Sequence, residues 1–195
     1  MPTELDVPRP DQGPVPAARG TLFHTAIKDP RGEDLLPLSA LKAPYPDLYA
    51  RHLAKYQGRE ERLRERVLPL DCAWTDVVFL SPVDSTLLFG AMRSAGRAVA
   101  DPRMWTLDAA LLDPRRCCVR LMRLTRGRLS ADPADEDDYL PLTTATLRAV
   151  SQVTDRALAR LRTLAPDEPG LPWGDVPHVL HRGPIPLRLF QRSSG

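Results

Sequence analysis

Lysine is nearly missing from this chain. It occurs only as Lys28, Lys42 and Lys55, so arginine makes up 24 of the 27 basic residues. With abundant Ala, Leu and Pro, that skew resembles the composition of a G+C-rich bacterial genome, and it removes arginine content as an argument for phosphate or nucleic-acid binding. The 25 acidic residues leave a net charge of only +2, which is not the one-sided field of a dedicated nucleic-acid binder. Cysteine is also scarce. Cys72, Cys117 and Cys118 are odd in number and two are adjacent, which excludes a disulfide framework and fits a reducing compartment. No 18 consecutive residues are apolar, and the first 20 lack both a basic and an apolar stretch, so neither a membrane span nor a signal peptide is expected. A cytoplasmic protein without membrane partners is the expectation. Phosphate-binding glycine loops, dinucleotide fingerprints, nucleophile elbows and zinc-finger spacings do not occur.

What remains is an ordinary single-domain chain. At 195 residues, with 43% hydrophobic and 27% charged residues, it can bury roughly 70% of its unfolded surface. Residues 1–20 hold five of the 21 prolines and read as a flexible tail. Residues 21–190 read as one α+β domain with a mixed, mostly antiparallel sheet and one long packed helix, and 191–195 as a flexible end.

The clearest stretch is Leu70–Gly96. Val77–Leu80 is a continuous apolar run and reads as a strand buried on both faces. Asp84 or Ser85 then caps a helix that Gly96 ends. Thr21–Ile27 suits a first strand carrying His24. Pro46–Tyr56 has helical spacing, and Arg59–Arg66 reads as a second helix whose charges form a solvated face. Met104–Leu112 and Cys117–Thr125 read as a hairpin about the turn Asp113-Pro114-Arg115-Arg116. Ser130–Asp138 is too acidic to bury. Leu147, Val150, Thr154, Leu158, Leu161 and Leu164 predict one long helix from Thr143 or Thr144, and Val176–His181 and Ile185–Phe190 two closing strands.

Imidazoles are the natural candidates for chemistry near neutral pH: His24, His52, His178 and His181. In a strand His178 and His181 face opposite sides, so no shared metal is expected. Asp71, Asp76 and Asp84 flank Trp74 and suit either a sugar or ribose site or, more simply, turn and cap duties. Cys72 is read as a small buried hydrophobe rather than a nucleophile. Arg120 and Arg123 either meet a phosphate or reach to solvent. Trp173 is expected to anchor the C-terminal loop.

The order of these segments resembles ADP-ribosyltransferase-like domains. The resemblance lies in LFHTA, VVFLSPVDSTLLF and the closing HVLHRGPIPL, without a diagnostic motif. It implies that His24 holds the ribose or phosphate of NAD, and that Phe79, Ser81, Ser85 and Thr86 wall the pocket. The family's catalytic glutamate belongs near the closing stretch, where this chain has His178. Three functions follow as expectations: an NAD- or nucleotide-binding transferase-like domain, with His24 and His178 as candidate catalytic residues and Phe79, Ser81 and Ser85 as ligand contacts; a non-catalytic interaction protein using the tail and the acidic loop; or a weak nucleic-acid binder, if the arginines of 115–128 and 148–162 form one patch. Convergence of His24, Ser81 and His178 on one pocket favours the first.

Overall fold

Val77–Leu80 forms the edge of a four-stranded antiparallel sheet in the order Tyr139–Pro141, Cys117–Arg120, His178–Arg182, Val77–Leu80. The computed structural model describes residues 15–122, 124–125, 128–129, 134–165, 168 and 170–192. A second antiparallel sheet has Met104–Asp108 between Thr21–Thr25 and Gln191–Arg192. The two sheets meet at one bridge. There the Phe23 N–H donates to the Ser81 carbonyl at 2.7 Å, and the Ser81 N–H to the Phe23 carbonyl at 2.8 Å. Among the described residues no other pair joins these two strands, so a notch opens beside Val77, Val78 and Phe79. The fold is α+β, with helices α1 (Leu38–Leu41), α2 (Pro46–Leu53), α3 (Thr86–Ser94), α4 (Thr144–Val150) and α5 (Asp155–Arg162).

Period-two alternation gives the four-stranded sheet two apolar faces. Val78, Leu80, Val119 and Val179 join Leu22, Trp105, Leu107, Ile185 and Phe190 in the main core. Val77, Cys118, Leu180 and Tyr139 pack instead under Val67, Leu70, Cys72 and Trp74. A third cluster brings Leu88, Ala91 and Met92 of α3 against Leu161 and Leu164 at α5. Each such side chain contributes about 1.5–3 kcal/mol of burial.

Local signals act as their chemistry dictates. Asp84 Oδ1 accepts from the Thr86 N–H at 2.8 Å to open α3, and Gly96 takes φ 77° just past its end. Pro46 occupies the first turn of α2, where the missing N–H has no intrahelical partner to lose.

Long-range expectations fare differently. Met104–Asp108 and Cys117–Arg120 are not a hairpin: the first pairs with Thr21–Thr25 and the second with His178–Arg182, in different sheets. The turn between them exists, with Asp113 Oδ1 accepting from the Arg115 N–H at 3.0 Å, but a turn does not choose partners. The expected long helix is two, α4 and α5. Thr143 accepts from the Thr146 N–H at 3.0 Å and Thr154 from the Ala157 N–H at 3.2 Å, so the second threonine starts a new helix rather than continuing the first. Glu60–Arg64 is a 3-10 helix, not an α-helix, and its charges are not all solvated. Asp138, expected on an exposed loop, is buried, and its backbone carbonyl accepts from the Leu121 N–H at 2.8 Å; residues 130–133 of that loop lie outside the described residues. So do residues 1–14 of the expected flexible tail, whose described end is docked: Ala18 is fully buried in the main core and the Arg19 N–H donates to Thr144 Oγ1 at 2.9 Å. Gln191–Arg192, expected in a flexible end, completes the three-stranded sheet; residues 193–195 lie outside the described residues.

Candidate functional site

The notch between the sheets opens into a cavity of about 760 Å³, within the range of small-molecule sites. His24, Ile27 and Lys28 line it from the first strand and the turn after it; Val77, Val78, Phe79 and His178 from the four-stranded sheet; Tyr45, Leu48, Arg51 and His52 from the α2 region. Tyr56, Arg59, Arg62 and Trp74 also line it, as do Leu171–Gly174, with Trp173.

Two chemistries meet there. The walls are aromatic: Phe79 tilts against Trp74 at 4.6 Å between ring centroids and meets the His178 ring edge-on at 6.2 Å. Trp74 Nε1 donates to the Tyr56 hydroxyl at 3.2 Å, which fixes both rings. The rim is cationic, with Lys28, Arg51, Lys55 and Arg59, and Arg31 paired to Asp47 at 2.8 Å, against Asp29 and Asp34. Two of the chain's three lysines are therefore here, in a sequence that otherwise uses arginine almost throughout.

Beneath Trp74 lies a buried charge network. Glu65 receives Arg62 at 2.7 Å on one oxygen and Arg120 at 2.9 Å on the other, and the three side chains are only 6–11% exposed. The Arg120 contact lies off the hydrogen-bond direction. Arg120 also donates to the Tyr139 hydroxyl at 2.7 Å and sits over the Tyr139 and Trp74 rings. Arg120 thus neither reaches solvent nor waits for phosphate. It holds Trp74 in place.

The histidines part company. His24 and His178 are half-buried, both line the cavity, and the Nδ1 of each is shut from solvent with no hydrogen-bond partner among the described residues. Burial pulls the His178 imidazole down to about 4, with Arg120 adding to the effect against the approach of the Val176 backbone. Burial also lowers His24, against the raising effect of the Thr25 backbone, with His52 and Lys55 adding weakly to the lowering. Both rings are neutral at pH 7 and offer one donor and one acceptor. His52 lies on the exposed rim, lowered by partial burial and by Lys55 and Arg51. His181 points away from the cavity and bonds the Gly183 carbonyl at 3.1 Å.

Of the candidates named from sequence, His24, Phe79 and His178 converge on the cavity, whereas Ser81 and Ser85 are buried apart from it. Ser81 Oγ closes a turn, donating to the Val83 carbonyl at 2.8 Å and accepting from the Val83 N–H at 3.0 Å. Cys72, Cys117 and Cys118 are all buried thiols. Arg116 is committed to the Arg182 carbonyl at 2.7 Å and Arg160 to Asp175 at 2.6 Å, so the patch required of a nucleic-acid binder loses Arg116, Arg120 and Arg160. Trp173 does anchor its loop, edge-on to Phe89 at 6.4 Å, while lining the cavity. Tyr45, Tyr56, Lys55 and Arg59 escaped sequence reasoning; the rarity of lysine was the one signal pointing to Lys28 and Lys55.

Among the described residues no three His, Cys, Asp or Glu side chains are grouped to hold a metal, and no helix is long and apolar enough to cross a membrane. Comparison of the chain with models of known families, with curated proteins and with solved structures gives no match.

Proposed function

We propose that this protein is a nucleotide-binding, transferase-like domain that takes NAD or a related nucleotide in the cavity between its two sheets. The observation that carries the reading is the pairing of aromatic walls with a cationic rim in one cavity of about 760 Å³. A planar base gains from stacking on Phe79, Tyr56 or Trp173, while phosphates gain from Lys55, Arg51 and Arg59 at the mouth. A purely apolar ligand would leave that rim unused.

Of the residues that the resemblance to ADP-ribosyltransferase-like domains implicates, His24 and Phe79 share the cavity and support the same reading, while Ser81, Ser85 and Thr86 do not line it. Transfer chemistry has less support. The carboxylates on the cavity are Asp29 and Asp34, and the closing strand presents His178 where the resemblance implies a glutamate. His178, kept neutral by burial, is the titratable side chain that the closing strand places on the cavity in that position.

Titration of NAD, ADP-ribose, ADP and adenosine tests the reading, followed by the fluorescence of Trp74 and Trp173 and by thermal shift. Quenching and a raised Tm with the phosphorylated ligands, weakened in Lys55→Ala and Arg59→Ala, are expected. Absence of any effect up to millimolar ligand would overturn it.

A further inference from the structure

The Val77–Leu80 strand is an edge strand, and its open edge faces the cavity. Successive residues of an antiparallel strand turn their N–H and C=O to alternate edges. Two hydrogen bonds set the phase here. The Asp76 carbonyl accepts from the Gly183 N–H at 2.8 Å, which directs residues 76, 78 and 80 toward the His178–Arg182 strand. The mutual Ser81–Phe23 bonds at 2.7 and 2.8 Å direct Ser81 the other way. Phe79 therefore turns its N–H and C=O toward the notch, one step from where the bridge ends, and among the described residues no strand pairs with it there. Phe79 is half-buried and its neighbours Val77 and Val78 are buried, so a backbone donor and acceptor are held in a largely apolar wall. Leaving such groups unmade is costly.

A second observation marks the same spot. The His178 ring stands edge-on to Phe79 at 6.2 Å and its Nδ1 is shut from solvent without a partner among the described residues. Among the described residues, polar groups lacking complements thus cluster on one wall.

We infer that this strand edge recognises the planar donor–acceptor edge of a base, a lactam or carboxamide, through the N–H and C=O of Phe79. One ligand N–H donates to the Phe79 carbonyl and one ligand carbonyl accepts from the Phe79 N–H, as a neighbouring strand would. The inference rests on the nucleotide reading above and adds which part of the ligand faces which wall: phosphates toward Lys55 and Arg59, the amide edge toward Phe79.

Inosine diphosphate and its N1-methyl analogue separate the two claims, since methylation removes the lactam donor and leaves the phosphates unchanged. Binding is read by calorimetry, and hydrogen exchange of the ¹⁵N-labelled protein reports on each amide. The expected result is about ten- to a hundredfold weaker binding of the methylated ligand, with exchange at the Phe79 N–H slowed by inosine diphosphate more than at Val78 or Leu80, which already sit in the ladder. Equal affinity for both ligands, or a Phe79 amide that inosine diphosphate leaves unprotected, overturns the inference and leaves the nucleotide reading standing. Binding of neither diphosphate overturns both.

Discussion

Arg120 lies 2.9 Å from Glu65 in the interior, and Arg62 approaches the same carboxylate at 2.7 Å from the cavity side. This contact links the central sheet to the segment that forms one wall of the cavity. Breaking a buried pair strands its partner's charge away from water. Glu65→Ala is expected to destabilise the fold by about 3–5 kcal/mol, read as a lowered urea midpoint. Arg120→Met should also shift the fluorescence of Trp74, whose ring Arg120 covers at 5.8 Å.

Acid sensitivity should follow from the buried imidazoles. His178 has a pKa of about 4 in the folded protein against an ordinary value of 6.5, so between these values the unfolded chain binds a proton that the native state does not. Its contribution is fully present above about pH 6.5, falls as the pH drops, and levels off below about pH 4. The loss is on the order of 3 kcal/mol, and lowered His24 and His181 act in the same direction. Urea midpoints from pH 7.5 to 4.5 measure the slope. His178→Gln should flatten it, and an unchanged slope would count against a neutral, buried His178.

Ser81 separates a structural from a ligand-binding role. Its hydroxyl closes the Val83 turn and lies apart from the cavity, so Ser81→Ala should cost about 1–2 kcal/mol while nucleotide affinity stays unchanged. A loss of affinity at unchanged Tm would give Ser81 a place at the ligand.

The thiols should be inert in the native state. Burial pushes Cys117 and Cys118 up to about 12, and burial with nearby Asp76 raises Cys72. A shift of that size lowers the thiolate fraction at pH 8 by about a thousandfold. Reaction with a disulfide reagent should therefore wait for unfolding. Rapid labelling of folded protein would show that one of the three is accessible.

Chemistry confined to a few neighbouring residues could be read directly from the chain. The buried strand Val77–Leu80, Pro46 in the first turn of α2, Thr143 as a cap, the Asp113 turn and the stop at Gly96 each depend on side chain and backbone within about four positions. His24, Phe79 and His178 were legible as candidates, because an imidazole or an aromatic at a strand end stands out. Thr154 was a cap in plain view, but its four-residue spacing from both Val150 and Leu158 continued a helical stripe that capping interrupts. Strand partners, the burial of Arg62 and Glu65, and the meeting of the first strand, α2 and the Trp173 loop around one cavity were decided by the tertiary structure alone. Alternation tells a strand which face is apolar and says nothing of which neighbour will satisfy its N–H and C=O groups. A charge is solvated or buried according to whether a partner arrives from elsewhere, and for Glu65 that partner is Arg120, brought across by the sheet.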